Sequence, residues 1–299
     1  MIEVKDLLGP MRVPFLLLDP ACVFVGLGTA IWTSGSVSVL SAVLTFVGAI
    51  MANISVNALN EYLDYKSLLD TKTERTPFSG GSGTLPHKPE VALYALWTGI
   101  VSMAITILIG VYFLTIRGLT LLPLGLLGIV LIVFYTTWIT RYPLLCLFAP
   151  GIGFGPLMVV GTHFALTGTY SLEAWVASLV PFFLVSNLLL LNQFPDVEAD
   201  REVGRRHYPI VIGRKKSARI YSAFLILTYV SILLAVLFGV LPAWSLLGLL
   251  TAVLAWRAIR GAMRFADDTA ALVPVLGLNV QITLLTPTLV AIGLLLGSI

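Results

Sequence analysis

The sequence predicts an all-α protein that crosses a membrane nine times, and three observations carry that reading. Hydrophobic residues make up 58% of the 299-residue chain and charged residues only 11%, against about 25% charged in soluble domains. Apolar stretches long enough to cross a bilayer, each about 20 residues, recur from end to end. The positive residues fall almost wholly on one side of the topology that those stretches imply.

Read from one polar interruption to the next, the spans are 14–33, 38–60, 91–115, 119–138, 143–167, 172–194, 217–240, 242–263 and 273–297. The connections 34–37, 116–118, 168–171 and 241 leave room only for tight turns. The stretches 61–90 and 195–216 are the only extended hydrophilic ones, so residues 1–299 read as a single transmembrane domain with two cap loops. A soluble enzyme, a disordered chain and a disulfide scaffold are excluded. Cys22 and Cys146 are the only cysteines and are expected as free thiols in apolar helix. No small-residue cleavage site follows the first apolar run, so a removable signal peptide is not expected.

Nine spans place the N-terminus and the loops after spans 2, 4, 6 and 8 on one side. That side holds every lysine and arginine except Arg117. Eight or ten spans would scramble this asymmetry. Positive residues stay in cytoplasmic loops, so the N-terminus is expected in the cytoplasm of an inner-membrane protein and the C-terminus outside. The net charge of +3 hides this sidedness, which topology explains without a nucleic-acid partner.

Topology does not explain the acidic residues. All but Asp19 and Glu173 lie in or beside the same cytoplasmic segments. Glu61, Asp64 and Asp70 follow span 2, and Asp196, Glu198 and Asp200 follow span 6, where a helix is just leaving the membrane. An ionisable group at that depth is expensive unless something pairs with it, and so marks a functional site. The two clusters share a pattern. Asn60-x-x-x-Asp64 ends span 2 and Asn192-x-x-x-Asp196-x-x-x-Asp200 ends span 6, with residues four apart on one helical face. Asp70 is out of phase with its face and is placed in the loop, folding back. Pro195 lacks a backbone donor, so a kinked or frayed helix end is expected there.

The two sets are 132 residues apart (60 to 192, 64 to 196), which suggests a pseudo-repeat of four-helix units whose second helices end in carboxylates facing each other. Facing carboxylates repel, and Mg²⁺, held by one or two carboxylates plus substrate phosphates, relieves that repulsion. The clusters therefore read as a metal-bridged diphosphate site. In the first cap loop, Gly80, Gly81 and Gly83 with Ser79 and Ser82 permit close approach to an anion, and Lys72 and Arg75 are expected to meet phosphate. In the second, Arg201, Arg205 and Arg206 are placed to neutralise a leaving pyrophosphate. Lys215 and Lys216 fit lipid headgroups.

The stretches NALNEYLDYKSLLDTKTERTPFSGGS and NQFPDVEADREVGRRHYPIVIG resemble the two Asp-rich motifs of the UbiA superfamily of intramembrane prenyltransferases, nearest the branch that prenylates naphthoate-type quinone precursors as in menaquinone biosynthesis. The resemblance implies a nine-helix bundle around a central cavity capped by the motif loops on the cytoplasmic side. It implies Mg²⁺ and a prenyl diphosphate bound by Asn60, Asp64, Asp70, Asn192, Asp196 and Asp200, with an aromatic acceptor and membrane lipid as further partners. Glu61 stands where many members have Asp, and Pro195 where a basic residue is common. Tyr135 in YTTWITR looks like a family tyrosine, and Arg141 stands for the cation after it. The chemistry implied is diphosphate ionisation followed by attack of a ring carbon on the allyl cation, with Asp64, Asp196 and Tyr135 as its centre. Transfer to a lipid or haem acceptor is the alternative within the superfamily. A secondary transporter is the alternative outside it, but its acids should lie near the midplane on broken helices. Asp19 is either a cavity residue or an ion pair with Arg12, and His163 is expected at a helix interface.

Overall fold

The computed structural model describes residues 3–69 and 75–299. Every element among them is helical. Eight helices are long and apolar enough to cross a membrane: α1 (Val13–Ser34), α2 (Val39–Lys66), α3 (Pro89–Arg117), α5 (Pro143–Thr167), α6 (Leu172–Glu202), α7 (Arg214–Leu237), α8 (Ala243–Arg264) and α9 (Thr269–Gly297). The expected span 119–138 is a shorter apolar helix, α4 (Leu119–Phe134), because the chain leaves helical geometry in turns around Tyr135–Trp138. The protein is a multi-pass integral membrane protein whose helices begin where the local chemistry provides caps. Ser38, Ser171 and Asp268 each accept a hydrogen bond from the backbone amide three residues on, satisfying a donor that the first helical turn leaves orphaned.

Helix α6 is the axis of the fold. Sixty-seven percent of its apolar window is buried inside the protein, against 17% for α3, and α1, α5, α7 and α9 all pack on it. The first and last spans, α1 and α9, also pack together, while α2 pairs with α3. Small residues permit the tightest approaches. A Cβ added to Gly151 of α5 would lie 2.4 Å from the Phe182 carbonyl oxygen, and one on Gly155 would lie 2.6 Å from that of Ser178. This pair, four residues apart, lets the α5 backbone rest directly on α6, as small-residue faces do between membrane helices. Pro150 and Pro156 interrupt α5, and Gly153–Val160 winds as π-helix, the widening expected where the regular ladder is broken.

Some polar groups within the helices bond across helices. Asn187 of α6 donates to the Tyr221 carbonyl of α7 at 2.8 Å, and the Tyr221 hydroxyl donates to Asn279 of α9 at 3.1 Å, tying three helices where hydrocarbon offers no alternative partner. Asp19 is fully buried and accepts from Asn53 Nδ2 at 3.0 and 3.2 Å. It is therefore not paired with Arg12, which turns to Glu61 instead. His163 sits at the α5–α1 contact beside Thr29, 3.1 Å away. Arg117, the exception to the charge asymmetry, donates to the carbonyls of Ala165 and Leu166 at the end of α5, satisfying acceptors that a helix C-terminus leaves open.

Helix α6 does not fray at Pro195. It continues without a break to Glu202, so Asn192, Asp196 and Asp200 keep one helical face.

Replacing Gly155 by Leu should destabilise the fold by about 1–3 kcal/mol through overpacking, read as a lower melting temperature in detergent. An unchanged melting temperature would contradict the backbone contact.

Candidate functional site

The ends of α2 and α6 meet at one cavity of about 540 Å³. Its wall includes Asn60 and Asp64 from α2, Asn192, Gln193, Asp196 and Asp200 from α6, and Tyr135 and Cys146 from the α4–α5 region. Arg75 and Thr76–Ser82 of the first cap loop line it, as do Arg205 and His207 of the second. The N-terminal segment, with Lys5, Leu8, Arg12 and Phe15, forms part of the same wall.

Arg205 joins the two motifs. Its guanidinium contacts Asp64 Oδ1 through Nη2 and Asp200 Oδ1 through Nη1, the latter at 3.0 Å. Burial opposes the charge on Arg205, yet the two carboxylates outweigh it and raise its pKa above the ordinary arginine value. The local backbone explains the placement. Gly204 adopts φ +81, a left-handed conformation that suits glycine at a helix end, and the Arg205 amide donates back to the Asp200 carbonyl at 3.0 Å. The chain thus reverses and returns Arg205 over the motif it has just left. His207 Nε2 lies 2.8 Å from Asp200 Oδ2, so both oxygens of Asp200 are engaged.

Asp196 is held differently. It lines the cavity together with Ser79 and Gly80 of the first cap loop, while its Oδ1 and the Oδ1 of Asn192 are buried with no partner. Buried acceptors without donors are costly, and two of them on consecutive turns of one helix suit a cation. On α2, Asn60 accepts from Arg12 Nη2 at 2.9 Å and donates to Thr136 at 2.9 Å. Glu61, fully buried, accepts from Arg12 Nε at 2.7 Å and from the amide and hydroxyl of Ser82 at 2.7 and 2.8 Å.

Among the described residues, no three His, Cys, Asp or Glu side chains stand ready as a metal cluster. That is compatible with Mg²⁺, which takes one or two carboxylates and completes its shell with water and substrate phosphate. The free oxygens of Asn192 and Asp196, with Asp64 across the cavity, fit such an ion.

The structure brings together Asn60, Asp64, Arg75, Tyr135, Asn192, Asp196 and Asp200. It does not bring Arg141 or Arg201 to the cavity. Both are exposed, and Arg201 pairs at 2.6 Å with Glu198 on the solvent side of α6, because it directly follows Asp200 and points away from its face. Asp70 and Lys72 lie outside the described residues. The residues that sequence reasoning passed over are Arg12 as a site residue and His207, while Glu61 was placed in the acidic cluster without its partners and Arg205 was noted but not singled out. A glycine just past a carboxylate-bearing helix end was the available signal for Arg205.

A model of the UbiA prenyltransferase family matches residues 21–280. The chain belongs to that family. Two relatives are named 1,4-dihydroxy-2-naphthoate octaprenyltransferase. That of Bacillus subtilis is 28% identical over 211 residues, covering 70% of this chain and 66% of its own. That of Escherichia coli is 26% identical over 295 residues, covering 97% and 95%. The family match makes the chain a transferase of the prenyl type, and these relatives are what it resembles within the family. A UbiA homologue from Archaeoglobus fulgidus, solved with DMAPP and Mg²⁺, shares the fold with a TM-score of 0.62 at 14% identity, over 96% of this chain and 99% of its own.

Replacing Arg205 by Ala leaves two buried carboxylates facing each other, and should destabilise the ligand-free protein by about 3–5 kcal/mol, the cost of breaking a buried ion pair from one side. Thermal unfolding of the purified variant measures this, and Arg205→Lys should recover part of the loss.

Proposed function

We propose that the protein transfers a prenyl group from a prenyl diphosphate to an aromatic acceptor of the naphthoate type, within the membrane and in dependence on Mg²⁺. The single observation that carries this reading is the meeting of both Asn- and Asp-bearing helix ends, from α2 and α6, at one cavity. The names of the relatives favour the naphthoate class of acceptor, and the DMAPP and Mg²⁺ of the A. fulgidus homologue favour the donor and the metal. In this reading all of residues 1–299 act as one transmembrane domain. Helix α4 counts as the ninth span, the N-terminus and cavity face the cytoplasm, and the fold descends from a duplicated four-helix unit.

Asp64, Asp196, Asp200, Asn60 and Asn192 are the candidates for holding the metal, with Asp70 and Lys72 of the first cap loop added from the sequence. Mg²⁺, when bound, supplies charge neutralisation at the diphosphate. The chain's own residues do the rest. Arg205 holds Asp64 and Asp200 together and so fixes the two motif ends relative to each other. Arg75 and Arg205 face the cavity and offer donors to phosphate oxygens. The allylic carbon–oxygen bond then breaks with its electron pair leaving on the pyrophosphate. Tyr135 turns toward the same space, where an aromatic face stabilises the allyl cation. Phe15, Phe78 and Leu189 line it as well and keep water from that cation. A ring carbon of the acceptor attacks the cation, and its proton passes to the released pyrophosphate, which restores aromaticity.

Purified protein is offered geranyl diphosphate and longer prenyl diphosphates with naphthoate, phenolic and glyceryl phosphate acceptors, with Mg²⁺ or EDTA, and products are read by mass spectrometry. Prenylated naphthoate is expected only with Mg²⁺. Asp64→Asn and Asp196→Asn should each lower turnover by at least about 100-fold, the scale of losing electrostatic stabilisation of a leaving group. Product on the glyceryl phosphate alone would overturn the aromatic reading. Solute flux without covalent product would overturn the enzymatic one.

A further inference from the structure

The glycine-rich stretch of the first cap loop is anchored to α2. The amide and hydroxyl of Ser82 bind Glu61 at 2.7 and 2.8 Å. From that anchor Ser79–Ser82 line the cavity that Asp196 of α6 also lines, and Gly80 and Gly81 take the positive φ values of 81 and 68 that glycine alone adopts readily. Glu61 is fully buried, and the cation that balances it is Arg12, whose Nε lies 2.7 Å away. The same guanidinium reaches the Asn60 carbonyl oxygen at 2.9 Å, and Asn60 in turn donates to Thr136. Arg12 itself sits at φ +50 where the N-terminal segment turns into α1. Gly9, three residues earlier, lies so close to Thr84 that an added Cβ would be 2.0 Å from its hydroxyl oxygen.

Resting on the functional reading above, we propose that Arg12 and Glu61 are positioning residues for the prenyl diphosphate. Their ion pair clasps the Ser79–Ser82 strap at the cavity wall and fixes the orientation of Asn60. Glu61 then serves the strap rather than the metal. Three donors already converge on its carboxylate, Arg12 Nε and the two groups of Ser82. The strap presents its backbone amides to the cavity that Asp196 also lines, where the diphosphate head is bound in that reading. Loosening the clasp removes pre-organised donors from the diphosphate, leaving the acceptor end of the cavity intact. Such a loss falls on donor binding and less on the chemical step.

The test compares the unaltered protein with Glu61→Gln, Arg12→Gln, the double variant and Ser82→Ala. KM and kcat are measured for geranyl diphosphate and for a naphthoate acceptor, and geranyl diphosphate binding with Mg²⁺ is measured by calorimetry. Each of the first two variants should raise the geranyl diphosphate KM and Kd roughly tenfold, the scale of a lost charge-assisted hydrogen bond. The acceptor KM and kcat should stay within about threefold. The double variant should be no worse than the poorer single one, since both break the same pair. Arg12→Lys, which keeps the charge and loses the fork to Asn60, should fall between. A merely structural role would lower the active fraction, and hence kcat, for both substrates alike. Equal binding in all variants, or loss confined to kcat, overturns the clasp. If Glu61→Gln does not fold, Ser82→Ala decides: a rise of roughly threefold in the same constants supports the clasp, and none overturns it. Should the unaltered protein bind the diphosphate yet form no product, the functional reading falls while the binding comparison still judges the clasp. No binding by the unaltered protein overturns both.

Discussion

The structure depends on the burial of carboxylates from two distant parts of the chain at one place. Asp64 and Asp200, from α2 and α6, are each only a few percent exposed and share the guanidinium of Arg205. Two carboxylates at the rim of a membrane bundle repel and lose hydration. The helices that carry them can approach only because a cation sits between. Everything else at the site follows from that convergence. The glycine turn at Gly204 returns the arginine, Asp196 is left on the same face of α6 with one oxygen free, and Ser79–Ser82 of the first cap loop line the same cavity. In the ligand-free protein an arginine does part of the charge balancing that a divalent metal and a diphosphate are proposed to complete.

The scaffold around that point is built to hold helix ends at fixed positions. Helix α6 is central and nearly surrounded, so its register is set by neighbours on every side. The close approach at Gly151 and Gly155 and the interhelical hydrogen bonds of Asn187, Tyr221 and Asn279 pin it against α5, α7 and α9. A site formed at the end of so constrained a helix inherits its precision. The first motif is held by a different device, the Arg12, Asn60 and Glu61 contacts, which bring the N-terminal segment into the site.

Much of this was legible in the sequence. Hydropathy located eight of the nine expected spans, because an apolar stretch in lipid must form a helix to satisfy its own backbone, but it stopped α2 and α6 short of their motif-bearing ends at Lys66 and Glu202. The shared Asn-x-x-x-Asp spacing pointed to one face on each of two helices, and the structure puts those faces on a common cavity. What was hidden was side-chain pairing across the chain. Arg12 is the base nearest Asp19 in sequence, which made an ion pair one of two readings for Asp19, but Asp19 meets Asn53 and Arg12 meets Glu61. Arg201 looked well placed beside Asp200, yet the residue that reaches back is Arg205, because the glycine between them reverses the chain. The continuation of α6 through Pro195 was equally unreadable. A proline weakens a helix in isolation, and only the packing of α6 on its neighbours carries the helix past it.

The most direct test of the central claim is a crystal structure of the protein with Mn²⁺ in place of Mg²⁺ and a non-hydrolysable prenyl diphosphate analogue, with the metal located by its anomalous scattering. The account predicts a manganese peak inside the cavity with ligands from both α2 and α6, Asp64 and Asp196 among them. A peak bound by only one of these helices, or a diphosphate lying away from the Asp64–Asp200 meeting point, would contradict it.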